Sequence, residues 1–152
     1  MLRLRPGALT LDDLLAVHRG GVAVEVDPAA WPGVQRSAAV VQAAAAGDAA
    51  VYGVNTGFGK LASTRIGNDD LATLQRNLIR SHSVGVGEPM APAVVRLVMV
   101  LKAASLARGH SGVRPAVIEA LVAAHNAGLV PCIPSQGSVG ASGDLAPLSH
   151  MT

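Results

Sequence analysis

Aromatic side chains are almost missing from this chain: one Trp, one Tyr and one Phe make up 2% of its 152 residues. A single-stranded nucleic-acid binder needs aromatic platforms on which bases stack, and an aromatic-rich β-sandwich draws on the same residues, so both classes are disfavoured. Charge is also sparse at 14%, with a net charge of +2 and no run of Lys or Arg. The electrostatic footprint of a nucleic-acid surface is therefore absent from the sequence. Cysteine occurs once, at Cys132. One thiol closes no internal disulfide, which fits a reducing compartment and a cytoplasmic protein. The expected role of Cys132 is that of a small buried hydrophobe rather than a nucleophile. Long apolar runs are missing too. The start, Met1-Leu2-Arg3-Leu4-Arg5-Pro6, lacks the apolar centre of a secretory signal. The most apolar stretch, 93–107, is broken by Arg96 and Lys102 and is too short to span a bilayer.

What is abundant is small and aliphatic. Half of the residues are hydrophobic, with Ala and Val foremost, in a chain long enough for one real core. That composition favours closely packed helices. Thr10 reads as an N-cap with Asp12 and Asp13 in the first turn and Gly20 as the stop. Residues 22–26 alternate weakly and predict a short strand. Asp27-Pro28 reads as N-cap and first position of a second helix; Pro32 leaves its start open, while 34–46 is strongly helical and Gly47 ends it. Asn68-Asp69-Asp70 is expected to cap a third helix with Leu71, Leu74 and Leu78 on one face, running out at Ser81-His82-Ser83. A fourth helix over 93–108 is apolar nearly all round and should be central. Pro115 opens a fifth, with Val117, Ile118, Leu121, Val122 and Ala124 inward and Gly128 beyond its end. Pro131 and Pro134 keep 129–134 extended. Asp144 is the N-cap candidate of a last helix with Pro147 in its first turn. The sequence stops at Met151-Thr152, just inside that helix, with no capping residue, so the chain is expected to be a fragment of a longer protein.

Several motifs nearly fit and fail. Gly57-Phe58-Gly59-Lys60-Leu61 suggests a phosphate loop, but Val54 stands where the first Gly belongs and Leu61 where Ser or Thr should hold the metal. Gly140-Ala141-Ser142-Gly143 is not a nucleophile elbow, because the second Gly comes one residue early. The five His and ten acidic residues show no zinc-type spacing. No metal is expected.

Three segments remain: Tyr52-Gly53-Val54-Asn55-Thr56-Gly57-Phe58-Gly59; Ser81-His82 with Gly85-Val86-Gly87-Glu88-Pro89; and Gly137-Ser138-Val139-Gly140-Ala141-Ser142-Gly143-Asp144-Leu145-Ala146-Pro147-Leu148. In order and spacing they resemble the N-terminal part of the aromatic amino acid ammonia-lyases, and their histidine-specific branch most closely. The third motif is long and specific, the first nearly as good, and the chain before Tyr52 is weaker evidence. The resemblance implies a mainly α fold, with 1–152 as the N-terminal portion of a helical ammonia-lyase-like domain carrying a few short strands.

It also implies a site. Ala141, Ser142 and Gly143 would cyclise autocatalytically to 4-methylidene-imidazol-5-one, with no external cofactor. Glycine at 143 leaves its amide nitrogen free to attack the Ala141 carbonyl, and Ser142 loses its hydroxyl as water. Tyr52 lies where the family places its catalytic base. A tyrosine serves as a base near neutral pH only where positive potential favours its phenolate. Ser81 and His82 would face the substrate side chain: phenylalanine-specific members typically carry Phe-Leu there, tyrosine-specific ones His-Leu and histidine-specific ones Ser-His. Asn55 would bind substrate, while it, Thr56 and Gly57 shape the loop. The implied reaction takes L-histidine to trans-urocanate and ammonia, in a homotetramer when full length, with a small-molecule amino acid as partner and neither nucleic acid nor membrane involved. The fragment by itself is expected to be inactive.

Each motif also has a plain reading: a Gly/Ser loop ahead of a helix, a buried tyrosine with its hydroxyl bonded, and a helix-end histidine capping carbonyls. His18, His110 and His125 read as surface or helix-end residues, and His150 as a packing residue. Two alternatives stay open. One is an aminomutase, or a lyase acting on another aromatic amino acid. The other is a non-catalytic helical module that oligomerises through 93–107.

Overall fold

A computed structural model describes residues 1–140 and 143–152. The chain is about 53% helical and mainly α, as composition and resemblance predict. It divides into two compact units, one of residues 1–40 and 90–131, the other of residues 41–89 and 132–152.

The first unit starts with two very short strands. β1 (Leu2–Leu4) and β2 (Val24–Val26) pair in parallel, with Leu2 opposite Val24 and Leu4 opposite Val26. Between them runs α1 (Leu11–Arg19), and its start obeys local chemistry closely. Thr10 Oγ1 accepts the Asp13 N–H at 3.2 Å while the Asp13 carboxylate accepts the Thr10 N–H at 2.9 Å, a reciprocal capping box. These bonds from the Thr10 backbone and then its hydroxyl hold the Asp13 carboxyl below its ordinary value. Gly20 stops the helix, and Arg96 closes its far end by donating to the Val17 and His18 carbonyls at 3.3 and 2.7 Å.

Asp27 caps a single 3-10 turn over Pro28–Ala30, accepting the Ala29 N–H at 3.0 Å, before α2 (Trp31–Ala46) begins. Pro32 is tolerated because it falls in the first turn, where its missing N–H costs nothing. The first unit holds α2 up to Val40 and the second from Val41. α4 (Pro92–Leu106) packs against both α1 and α5 (Pro115–Asn126). Leu4, Val17, Val24, Val34, Val100, Ala103 and Ile118 form one apolar core. Fully burying an Ile or Leu of this kind contributes roughly 1.5–3 kcal/mol. α4 is central, as its sequence suggests, although Val94 and Leu101 stay exposed.

Two side chains near the end of α5 bond to β2 and to the segment that leads into it. Asn126 accepts the Val24 N–H at 2.8 Å and donates to the Val24 carbonyl at 2.9 Å, pairing with the strand as a neighbouring strand would. His125, expected at the surface, is buried with Nε2 at 3.0 Å from the Val22 carbonyl. Since a carbonyl only accepts, the ring proton there sits on Nε2. Val117 turns outward instead of inward, because the helix aims Ile118 at the core.

In the second unit α3 (Asn68–His82) ends where the sequence indicates, but Gly67 rather than Asn68 occupies its N-cap, and no side chain caps it. β3 (Val86–Pro89) pairs antiparallel with β4 (Pro134–Gln136), with Val86 opposite Gln136 and an irregularity before Pro89 meets Pro134. Neither strand has an alternating pattern to announce it. Cys132 is exposed, contrary to expectation; the side chain that turns inward is its neighbour Ile133. α6 (Leu145–Met151) begins behind Asp144 and packs against α3. Among the described residues no helix is long and apolar enough to cross a membrane.

Candidate active site

Tyr52, Asn55, Ser81, His82 and Gly143 all fall in the second unit. The loop that carries Tyr52 is built on buried polar groups. Asn55 is completely enclosed: its Oδ1 accepts the Val51 N–H at 2.7 Å, and its Nδ2 donates to the carbonyls of Ala44 and Ala49 at 3.2 and 3.0 Å. Both amide hydrogens are thus in use, and one oxygen lone pair remains. Thr56, equally buried, accepts the Gly53 N–H at 3.3 Å and donates to the Gly57 carbonyl at 3.0 Å. An isolated bridge between Thr56 and Arg65 closes the base of the loop, and Arg65 reaches back to the Gly47 carbonyl at the end of α2. Among the described residues the loop's side-chain hydrogen bonds are made without the Tyr52 hydroxyl. Tyr52 is 65% exposed, with its ring edge-on to Phe58 at a centroid distance of 5.7 Å.

Ser81 and His82 form the last turn of α3. Ser81 Oγ donates to the Leu78 carbonyl at 2.9 Å, and His82 Nδ1 lies 2.8 Å from the same oxygen and 3.1 Å from Ser81 Oγ. The carbonyl cannot donate, so the proton of this contact is on Nδ1. Neutral His82 therefore presents Nε2 as a bare acceptor. Among the described residues neither Ser81 nor His82 hydrogen-bonds to Tyr52.

Ala141 and Ser142, the first two residues of the candidate triplet, lie outside the described residues. Gly143 follows with φ +77°, in the left-handed region that glycine adopts without strain. Asp144 is also left-handed, at φ 60° and ψ 47°. It occupies the N-cap position, but its side chain caps nothing: Oδ1 is buried without a hydrogen-bond partner among the described residues. A non-glycine residue in this conformation with an orphaned carboxylate oxygen is strained and unsatisfied at once, the kind of feature that collects at functional sites. These residues suit a cyclised triplet: Gly143 supplies the backbone freedom, and Asp144 supplies an acceptor that ordinary helix capping leaves idle. Among the described residues no three His, Cys, Asp or Glu side chains gather as metal ligands.

Sequence reasoning overlooked one partnership in this unit, between His150 and the Gly85 N–H at 3.0 Å. The two are 65 residues apart, and nothing local in either segment signals the contact.

Solved structures with this fold include ammonia-lyases and aminomutases. Histidine ammonia-lyase from Trypanosoma cruzi superposes with a TM-score of 0.89 at 41% identity, covering 98% of this chain and 29% of that one. Tyrosine aminomutase from Streptomyces globisporus gives 0.88 at 34% identity, covering 99% and 28%. The profile of the aromatic amino acid lyase family matches residues 9–152, and this chain belongs to that family. Among curated relatives, histidine ammonia-lyase of Paracidovorax citrulli is 57% identical over 150 residues, which is 99% of this chain and 29% of the relative. The chain spans about 30% of the length of the curated relatives it matches.

Proposed function

We propose that this chain is the N-terminal portion of a cytoplasmic, homotetrameric ammonia-lyase that converts L-histidine to trans-urocanate and ammonia. The observation that carries this reading is the ring of His82. Its Nδ1–H is committed to the Leu78 carbonyl, so Nε2 is left to accept an imidazole N–H from the substrate, and the small Ser81 beside it leaves room for that ring. Phe and Tyr side chains offer no ring N–H to this acceptor. The 57% identity to a histidine ammonia-lyase points the same way.

In this reading Ala141, Ser142 and Gly143 lose two waters to form 4-methylidene-imidazol-5-one, which supplies an electrophile for the substrate amine. Tyr52 takes the β-proton through its exposed phenol oxygen. Asn55 and Thr56 hold the loop that aims it, and Asn55, being fully enclosed, acts through that loop. His82 orients the imidazole. The rest of the site belongs to residues beyond Thr152, so the present chain alone is inactive. An aminomutase uses the same early steps and is separated by its product.

The experiment is intact mass and product analysis on the full-length protein. The expected mass is two waters below that of the unmodified sequence, with urocanate formed from L-histidine. Ser142→Ala removes the hydroxyl that must leave, and activity should fall by at least about 10³-fold. A full-length active enzyme with an unmodified mass would refute the assignment, and cinnamate or coumarate as the preferred product would move the substrate.

A further inference from the structure

His150 has no part in the chemistry above, yet its position is unusual. It lies on α6, six residues beyond Asp144, and its Nε2 accepts the backbone N–H of Gly85 at 3.0 Å. Accepting at Nε2 fixes the tautomer, with the ring proton on Nδ1. Gly85 is three residues past His82, on the chain that leaves α3. One hydrogen bond therefore joins the segment after the Ser81-His82 pair to the helix that follows the triplet.

The surroundings show how closely these segments meet. A Cβ added to Gly85 would lie 3.1 Å from His150 Nε2 and 3.2 Å from the Gln136 carbonyl oxygen. A Cβ added to Gly137 would lie 3.1 Å from Gly85 Cα and 3.4 Å from Ala146 Cβ. The exit of α3, the end of β4 and the face of α6 that carries Ala146 and His150 thus meet so closely that even a Cβ at Gly85 or Gly137 would be tight. His150 is the only side chain that bonds across this junction among the described residues.

We propose that His150 is a positioning residue for the substrate side chain. Its Nε2 holds Gly85, and through Gly85 the Ser81-His82 turn, at a fixed offset from α6 and from Gly143 just ahead of it. It touches neither substrate nor reacting atoms. The proposal rests on the lyase reading above. A ring acceptor displaced from the electrophile by a fraction of an ångström still binds imidazole, but in a pose that reacts poorly.

The test compares full-length wild type with His150→Gln and His150→Asn. Gln places a side-chain oxygen about where Nε2 stands, whereas Asn reaches only to the Nδ1 level. Three readouts are taken: intact mass, amide exchange over residues 83–87, and kcat and KM for L-histidine. All three proteins should lose two waters. His150→Asn should exchange faster over 83–87 and lose about 10- to 100-fold in kcat/KM. His150→Gln should stay within about threefold of wild type in both. A His150→Gln enzyme as impaired as His150→Asn, or a His150→Asn enzyme with wild-type kcat/KM, overturns the positioning role. A wild type that keeps both waters or makes no urocanate instead overturns the lyase reading, and this proposal with it.

Discussion

The two units of this chain are held together by different physics. In the first, the most enclosed side chains are aliphatic: Leu4, Val17, Val95 and Ile118 have no exposed surface. In the second, the most enclosed side chains include Asn55 and Thr56, whose polar atoms are spent on the loop beneath Tyr52. α3 buries no residue completely, and Tyr52, Val84, Val86 and Val139 are exposed. Apolar burial is non-directional and tolerant of small shifts, so it makes a good scaffold. Hydrogen bonds are directional, so a loop held by them keeps one geometry while its functional side chain stays free. Every residue with a proposed chemical role lies in the unit that uses the second strategy.

Substitutions can break this division cleanly. Tyr52→Phe removes only an exposed oxygen, so in the full-length enzyme it should cost about 10²- to 10⁴-fold in kcat, the usual worth of a general base. Its unfolding midpoint should stay that of wild type. A large loss of stability would show that the hydroxyl has a structural partner after all, and unchanged kcat would remove Tyr52 from the proton transfer. Ile118→Ala does the converse. It deletes a fully enclosed side chain of the first unit and should cost about 2–5 kcal/mol in denaturant unfolding. Whatever enzyme remains folded should keep the wild-type KM for L-histidine. A changed KM with unchanged stability would mean that this core is not merely a scaffold.

How much of this was legible in the sequence follows from range. The N-cap at Thr10, the stop at Gly20 and the Pro-led start of α5 were readable because their partners lie within four residues. Tyr52, Ser81-His82 and Gly143 stood out in the sequence because each sits in a compact motif. Strands β1, β3 and β4 are three or four residues long, too short for a period-two pattern to emerge, and their partners are distant in sequence. His125 and Asn126 bond to residues 103 and 102 positions away, and for His125 the helix-end location suggested the surface instead. Asp144 looked like an ordinary N-cap because residue type and position both fit; only its left-handed backbone shows that its carboxylate does no capping. Cys132 misled for a simpler reason: burial alternates along an extended segment, and the inward place went to Ile133.

The finest test of the contrast lies inside the Tyr52 loop. Asn55→Ala leaves the Val51 N–H and the Ala49 carbonyl without their partner, while the Ala44 carbonyl keeps the Gly47 N–H at 3.3 Å. Ala49 is exposed, so water replaces part of what is lost, and the expected cost is about 1–3 kcal/mol rather than two full desolvation penalties. Asn55→Asp should be worse than Ala despite its closer shape. It keeps the acceptor for Val51 but turns a second anionic oxygen toward two carbonyl oxygens. In the full-length enzyme both variants should also lower kcat, because the loop that aims Tyr52 loosens. If Asn55→Asp unfolds no earlier than Asn55→Ala, the donated bonds to Ala44 and Ala49 are not what holds the loop. The weight would then pass to Thr56 and to the bridge it makes with Arg65.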